Sequence, residues 1–347
     1  MSMTDAEIDW SAFVPAETTR EFAETARAHF ASLDAPALVR RLIDSGEPAG
    51  LWPRIAEHGY PAIGVPEALD GVGTLTDLCA VLEEAGRVLL PAPLLATAAA
   101  QQTLLAAGAL EGDELGMPMA LAEPTRDDRM IAFDAQEAER IVAVATHGEG
   151  AVVRILPVTD AGTAADDAEA HAVDPSRAQR RIDPSTASHD TTVDASVDTV
   201  LSGARICVAA DLLGTAAGAL DASLDHVRQR QQFGRPIGSF QAVKHALADA
   251  YVQIERARSL TLGAAVEADR ERLSGRTRRL SMLAKAAASD AALRVTALQV
   301  QLLGAMGLTW ESDAGLAVRR ARHTVPFLGT ASDLYARVAR EAAEESR

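Results

Sequence analysis

The sequence predicts a mainly α-helical protein with a small β-domain between two helical parts. Apolar residues recur at helical spacing through residues 1–117 and again from 204 to the end. Between them, from Gly116, the composition shifts to short β-type runs broken by turns. The length, 347 residues, allows two or three layers of core. The expected parts are therefore an N-terminal helical domain (1–117), a reduced middle β-domain (118–203) and a C-terminal four-helix bundle (204–347).

In the first part, Phe22, Ala26 and Phe30 repeat every four residues within Glu17–Leu33. Ala37–Ile43 continues the period until Pro48 and Gly50 break it. Trp52–Gly59 leads into Tyr60–Pro66, which reads as an extended connector, and Asp70–Gly73 reads as a turn. Leu78, Val81, Leu82 and Ala85 then mark a helix ending near Gly86, and a further helix covers about 92–107.

In the middle part, Met119–Leu121, Met130–Phe133, Arg140–Ala145 and Ala151–Pro157 read as strands. Residues 158–195 have loop composition with room for one short strand, and Thr191–Val200 alternates like a closing strand.

In the third part, Leu213, Ala216, Leu220, Leu224 and Val227 mark one helix face; Val243, Ala246, Leu247, Ala250, Tyr251 and Ile254 mark the next. Ser274-Gly275 separates this from a third helix carrying Leu283, Ala287, Ala291, Val295, Leu298 and Leu302, closed by Gly304 and Gly307. A last helix covers about 330–344. The corner between the first two helices, residues 228–241, holds Arg228, Arg230 and Arg235 with Gly234, Pro236 and Gly238, a set that no single helix would carry.

The net charge of −16 argues against nucleic acid, which needs a basic footprint, although 228–235 is locally basic enough for a small anion. Cys79 and Cys207 lie in apolar runs and read as buried free thiols; no metal-ligand spacing is present. No basic-plus-apolar signal opens the chain, and the apolar stretch 88–110, with Pro91, Pro93, Gln101 and Gln102, reads as a core helix, not a membrane span. A cytoplasmic location is the expectation.

Four motifs follow one another in order: Gly64-Val65-Pro66-Glu67 through Leu82-Glu83-Glu84-Ala85-Gly86; Arg230-x-x-Phe233-Gly234 followed by Gln241; Ala284-Lys285-Ala286-Ala287-Ala288-Ser289-Asp290; and Gln301-Leu302-Leu303-Gly304-Ala305-Met306-Gly307. Together they resemble the acyl-CoA dehydrogenase family over most of the chain. The resemblance implies FAD as cofactor and oxidation of an acyl-CoA thioester at Cα–Cβ: a carboxylate removes the α proton and the β hydrogen leaves as hydride to the flavin. It also implies that Arg230 pairs with the diphosphate of a neighbouring subunit's FAD, Phe233 packs on the dinucleotide, and Gln241 bonds its adenosine side. Gln301 and the Gly304–Ala305 backbone would line the same end, with Ala305 in place of a family glycine.

The sequence departs from the family where the chemistry happens. The family's glutamate before Gly-Thr is Leu328 before Gly329-Thr330, and the alternative base position falls at Ala204-Arg205-Ile206, so no catalytic residue is assigned. The flavin-ring loop is replaced by Ala122-Glu123-Pro124-Thr125-Arg126-Asp127-Asp128, and none of Trp10, Trp52 or Trp310 can supply the covering Trp loop. Glu123-Pro124 reads as a retained turn, Glu311 as structural, Thr330 as within reach of a flavin, and Arg319-Arg320-Ala321-Arg322-His323 as a solvated helix face or subunit contact. This one-sided loss resembles the shortened subunit of heteromeric α2β2 acyl-CoA dehydrogenases, including those acting on steroid side chains. The expected partners are a homologous catalytic subunit, an acyl-CoA and an electron acceptor. Two alternatives stay open: a self-sufficient homotetramer using Glu311 or another base, and an assembly subunit that binds no flavin.

Overall fold

The computed structural model describes residues 16–124, 130–158, 173–183 and 187–345. Helices α1 (Glu17–Ala31), α2 (Ala35–Ser45), α3 (Trp52–Glu57), α4 (Leu75–Arg87) and α5 (Leu94–Ala107) precede the sheet. Tyr60–Ala62 is a 3-10 turn, so Tyr60–Pro66 is not an extended connector throughout. Helix α4 opens on a capping box in which Thr74 and Asp77 exchange hydrogen bonds. Asp269, from far along the chain, accepts the next free N–H groups, of Leu75 and Thr76. Helix α5 is buried on nearly every face, as its uniform apolarity requires. Its buried Gln101 and Gln102 donate to the carbonyls of Leu115 and Gly64.

The sheet has strands β1 (Met119–Pro124), β2 (Met130–Phe133), β3 (Arg140–His147), β4 (Gly150–Pro157), β5 (Arg180–Ile182) and β6 (His189–Val193), in the order β5-β2-β1-β3-β4-β6. Only β1 and β3 run parallel; the other neighbours are antiparallel. Among the described residues, β5 is the short strand expected within 158–195 and β6 holds the start of the expected closing strand, while Glu123-Pro124 ends a strand instead of forming a turn. The alternating run Thr191–Val200 splits: the strand stops at Val193, Ser196 caps, and α6 (Val197–Val200) begins.

The bundle is built from α7 (Ser202–Gln229), α8 (Gln241–Arg270), α9 (Gly275–Leu303) and α11 (Ala331–Glu345), with α10 (Asp313–Thr324) as an additional short helix. Helix α7 is central, with Ser202–Ala217 buried throughout. It crosses α4 so closely that a Cβ on Gly86 would stand 2.1 Å from the Asp211 carbonyl oxygen, and one on Gly214 1.9 Å from that of Glu83. Glycine at both positions is what lets the two backbones touch. Among the described residues, two helical stretches, Ser202–Gln229 (α7) and Gly275–Leu308 (α9 with the turn that follows it), are long and apolar enough to cross a membrane by length and composition, and both helices pack into this bundle. Both cysteines are free and buried.

Candidate functional site

Two short strands, β7 (Gln231–Gln232) and β8 (Arg235–Pro236), make the corner between α7 and α8 a hairpin. Its two-residue turn is Phe233-Gly234, with φ of +51° and +75°. Such turns need left-handed backbone at both positions, which glycine adopts freely and phenylalanine does not. The Phe233 ring is also 91% exposed, touching the Phe240 ring edge-on at 6.1 Å. Arg235 lies 4.2 Å over Phe240, and Arg228 pairs with Asp225. Arg230 is exposed and its guanidinium has no partner among the described residues. Gln241, also exposed, contacts His245 at 3.1 Å. Beside the hairpin lies a cavity of about 460 Å³ with Leu224, Val227 and Leu247 in its lining and the cations of Arg228 and Lys244 at its edge. That volume is in the range of small-ligand pockets.

Helices α8 and α9 are of nearly equal length, joined by a short connection and packed together. The end of α9 therefore returns to the end of the bundle where α8 starts. Gln301, Gly304 and Ala305 are exposed there, with Gly304 at φ +62°, ψ −137°, a conformation close to glycine-only. All six expected ligand residues thus sit at one end of the bundle.

The loop Val325–Thr330 lies near the other end and is built differently. Leu328 has φ +60° and is 2% exposed. Its N–H donates to the Glu123 carboxylate at 2.9 Å, and its carbonyl accepts from Arg205 at 3.2 Å. Lys285, fully buried on α9, donates to the carbonyls of Val325 and Gly329 at 2.5 Å each. Burial pushes Glu123 up to about 7 despite the Leu328 N–H, Lys285 and Arg205 beside it. Burial likewise brings Lys285 down to about 7, with Glu123 opposing. Thr330 is not free: its hydroxyl bonds Asp333 and caps α11.

Comparison with known proteins decides the family. Residues 16–113 match the acyl-CoA dehydrogenase N-terminal domain and 195–343 the acyl-CoA dehydrogenase C-terminal domain. The acyl-CoA dehydrogenase IpdE2 of Mycobacterium tuberculosis is 31% identical over 335 residues, covering 94% of this chain and 98% of the relative. The chain belongs to the acyl-CoA dehydrogenase family. FadE34 of the same organism is 33% identical over 290 residues, 79% of this chain but 39% of the relative. Among solved structures, a Tcur3481–Tcur3483 steroid ACAD variant matches with 26% identity and a TM-score of 0.78, over 95% of this chain and 99% of that one. The butyryl-CoA dehydrogenase of Megasphaera elsdenii shares the fold, with 20% identity and a TM-score of 0.76 over 95% and 99%.

Acyl-CoA dehydrogenases are FAD-dependent oxidoreductases acting on CH–CH bonds. The donor set at the corner fits the nucleotide end of that cofactor: an unpaired guanidinium for a diphosphate, an open aromatic face and an amide. The two positions that the family resemblance marks for the base, Leu328 and Ala204-Arg205-Ile206, are buried and carry no carboxylate. Glu311 is exposed, and its own backbone N–H and Thr309 hold its carboxyl below the usual range, the wrong direction for a base near neutral pH. Of the replaced flavin-ring loop 122–128, residues 122–124 end β1 and 125–128 lie outside the described residues.

The basic run 319–323 is not a uniformly solvated face. Arg319 and Arg322 are exposed, but Arg320 is 1% exposed and His323 is buried. Arg320 donates to Asp174 at 2.6 Å, to Ser176 at 2.8 Å and to the Leu89 and Leu90 carbonyls. Beside it, Arg177 grips Asp211 through both carboxylate oxygens and also reaches Thr324. These buried pairs tie the 174–177 segment to α7 and α10. A signal was present: Arg320 and His323 share a helical stripe with Leu316, Ala317 and Thr324. Glu123 and Lys285 were missed as a pair because only folding brings them together.

Proposed function

We propose that this chain is the base-less subunit of a heteromeric acyl-CoA dehydrogenase, an α2β2 assembly in which it completes the FAD site of a homologous catalytic partner. The observation that carries this reading is a separation. Arg205, against Leu328, and Arg230, at the corner, are 25 residues apart on α7, or roughly 37 Å at about 1.5 Å per residue. One dinucleotide cannot touch both ends. The ligand-facing groups at the corner therefore serve a cofactor whose ring lies against another subunit.

In this reading Arg230 holds the diphosphate, Phe233 and Gln241 hold the adenosine side, and Gln301 with Gly304–Ala305 lines the same end. The flavin, when bound, takes the hydride from the acyl Cβ. This chain's residues orient the nucleotide and exclude water from it, while the partner supplies the carboxylate that takes the α proton. Two similar solved structures are two-protein assemblies, the Tcur3481–Tcur3483 steroid ACAD and the ChsE4–ChsE5 complex of Mycobacterium tuberculosis; they support a heteromer, and the first supports a bulky acyl-CoA in lipid β-oxidation. Electrons then pass to a separate acceptor. A cytoplasmic setting and domain limits at 117/118 and 203/204 belong to the same proposal; the latter is supported by all six strands of the sheet lying between 119 and 193.

One observation favours a self-sufficient enzyme: Glu123, raised to about 7, sits against the peptide of Leu328. One experiment separates the readings. The chain is purified alone and together with a homologous full-length acyl-CoA dehydrogenase subunit of its own organism, and flavin content and acyl-CoA oxidation are measured. Flavin and turnover appear only in the pair. Yellow, active protein from the chain alone rejects the proposal, and Glu123→Gln then asks whether Glu123 is its base. A pair holding as much flavin with Arg230→Ala as without it would leave only an assembly role.

A further inference from the structure

A second cavity, of about 540 Å³, lies between the C-terminal half of α9, the turn 304–312 and α10. Ala297, Val300 and Leu316 contribute apolar lining. Large apolar side chains stand in water beside it: Leu308 is 80% exposed, Met306 53% and Trp310 45%. Arg319 and Arg322 line the same groove, and neither guanidinium has a partner among the described residues. Two unpaired cations in a chain of net charge −16 are a local exception.

The groove is built in advance. Arg40 of α2 donates to the carbonyls of Trp310 and Glu311, at 3.2 and 3.1 Å, and to the Asp313 carboxylate at 2.5 Å. The turn is thereby pinned from α2, and Ser312 caps α10 by accepting from Ala314 N–H. Tryptophan, methionine and arginine are the residues enriched in protein interfaces, and Trp and Arg dominate their energetics. Among the described residues, nothing covers Leu308 or Trp310.

We propose that this α9–α10 groove docks the homologous partner subunit, which inserts an apolar side chain flanked by carboxylates between Trp310 and the Arg319/Arg322 pair. The inference rests on the heteromeric reading above and deepens it by naming a contact. The two free cations of the groove call for a segment that brings carboxylates to it. Continuity supports it, because the groove begins at Gly307–Leu308, directly after the Gly304–Ala305 turn assigned to the shared cofactor.

The test uses the purified two-subunit complex. Its dissociation constant is measured by sedimentation at two salt concentrations for the wild type, for Arg319→Glu/Arg322→Glu, and for Leu308→Ser. All three side chains are exposed, so the fold tolerates the changes, and circular dichroism verifies it. The charge reversal weakens the complex at least tenfold and flattens its salt dependence; Leu308→Ser weakens it several-fold with the salt dependence intact. Wild-type affinity and salt dependence in both variants overturn the inference while leaving the heteromer standing. A chain that forms no complex and binds flavin alone overturns the heteromeric reading itself. If the variants instead dissolve a self-association of this chain seen without partner, the occupant is a second copy and the assignment to the partner is overturned.

Discussion

The two ends of helix α7 handle polar groups in opposite ways. At its C-terminal end Arg230 is exposed and unpaired, Phe233 is 91% exposed on a left-handed backbone, and Gln301 and Gly304 are open nearby. At its N-terminal end Arg205 is buried, and four backbone groups of the Leu328 loop are answered by charged side chains of the chain: the Leu328 N–H by Glu123, its carbonyl by Arg205, and the Val325 and Gly329 carbonyls by Lys285. Both ends contain a residue at a backbone angle that L side chains avoid. Only the second recovers that cost through internal bonds. The difference separates groups kept for the fold from groups kept for something the fold does not contain.

The contrast is broken most forcefully at Lys285. Lys285→Met keeps the aliphatic stem but leaves two buried carbonyls without their donor. The expected loss is about 3 kcal/mol of folding stability, read by chemical denaturation. Flavin bound per folded complex stays near the wild-type value. A chain that keeps its stability but loses flavin would reverse the roles assigned to the two ends.

Arg230→Ala is the mirror experiment. An exposed, unpaired guanidinium contributes little to folding, so stability changes by less than about 0.5 kcal/mol. A charge-assisted bond to phosphate is worth about 1.5–3 kcal/mol, so the complex binds FAD roughly ten to a hundred times more weakly. Fluorescence titration of the apo-complex with FAD measures it.

pH sharpens the comparison at the buried end alone. Burial raises Glu123 from 4.5 to about 7. A carboxyl raised on folding adds stability that is complete below its unfolded value and is lost as pH climbs through its folded value. Glu123→Gln keeps an acceptor for the Leu328 N–H and removes the titration. Relative to the wild type, the variant therefore gains stability between pH 5 and 8, by about 2 kcal/mol. Parallel wild-type and variant curves across that interval would show that Glu123 does not titrate in it.

What the sequence disclosed follows the same division. The long helices were legible because their apolar stripes repeat at 3.6 residues, and the corner because Gly234, Pro236 and Gly238 interrupt that period. The break at Ser274-Gly275 falls where α9 starts. The Leu328 loop was legible as a missing base and nothing more. Its partners come from positions 205 residues away (Glu123) and 123 residues away (Arg205), and no local pattern encodes such pairings. Arg320 was misplaced on the surface for a related reason: Asp174 and Ser176 belong to a stretch whose composition reads only as loop. The strand misjudged at 194–200 failed locally, because alternation continues across Ser196 while the cap starts a helix.

The smallest effect lies at Phe233 and is the most discriminating in sign. Its backbone sits at φ +51°, where a non-glycine residue costs roughly 1 kcal/mol, and its ring returns little to the fold beyond an edge contact with Phe240. Phe233→Gly relieves that cost in a two-residue turn suited to glycine at both positions, partly offset by the greater freedom of glycine in the unfolded chain. The chain is expected to gain up to about 0.5 kcal/mol of stability, read as a small rise in denaturation midpoint. If the ring is held open for the cofactor, the same substitution weakens FAD retention several-fold in the complex. Stability and binding then move in opposite directions at a single residue, as they do where a strained group is kept for its ligand. A stabilised variant with undiminished flavin retention would mean that Phe233 is left over from the family pattern, and the case for the open end would rest on Arg230 and Gln241 alone.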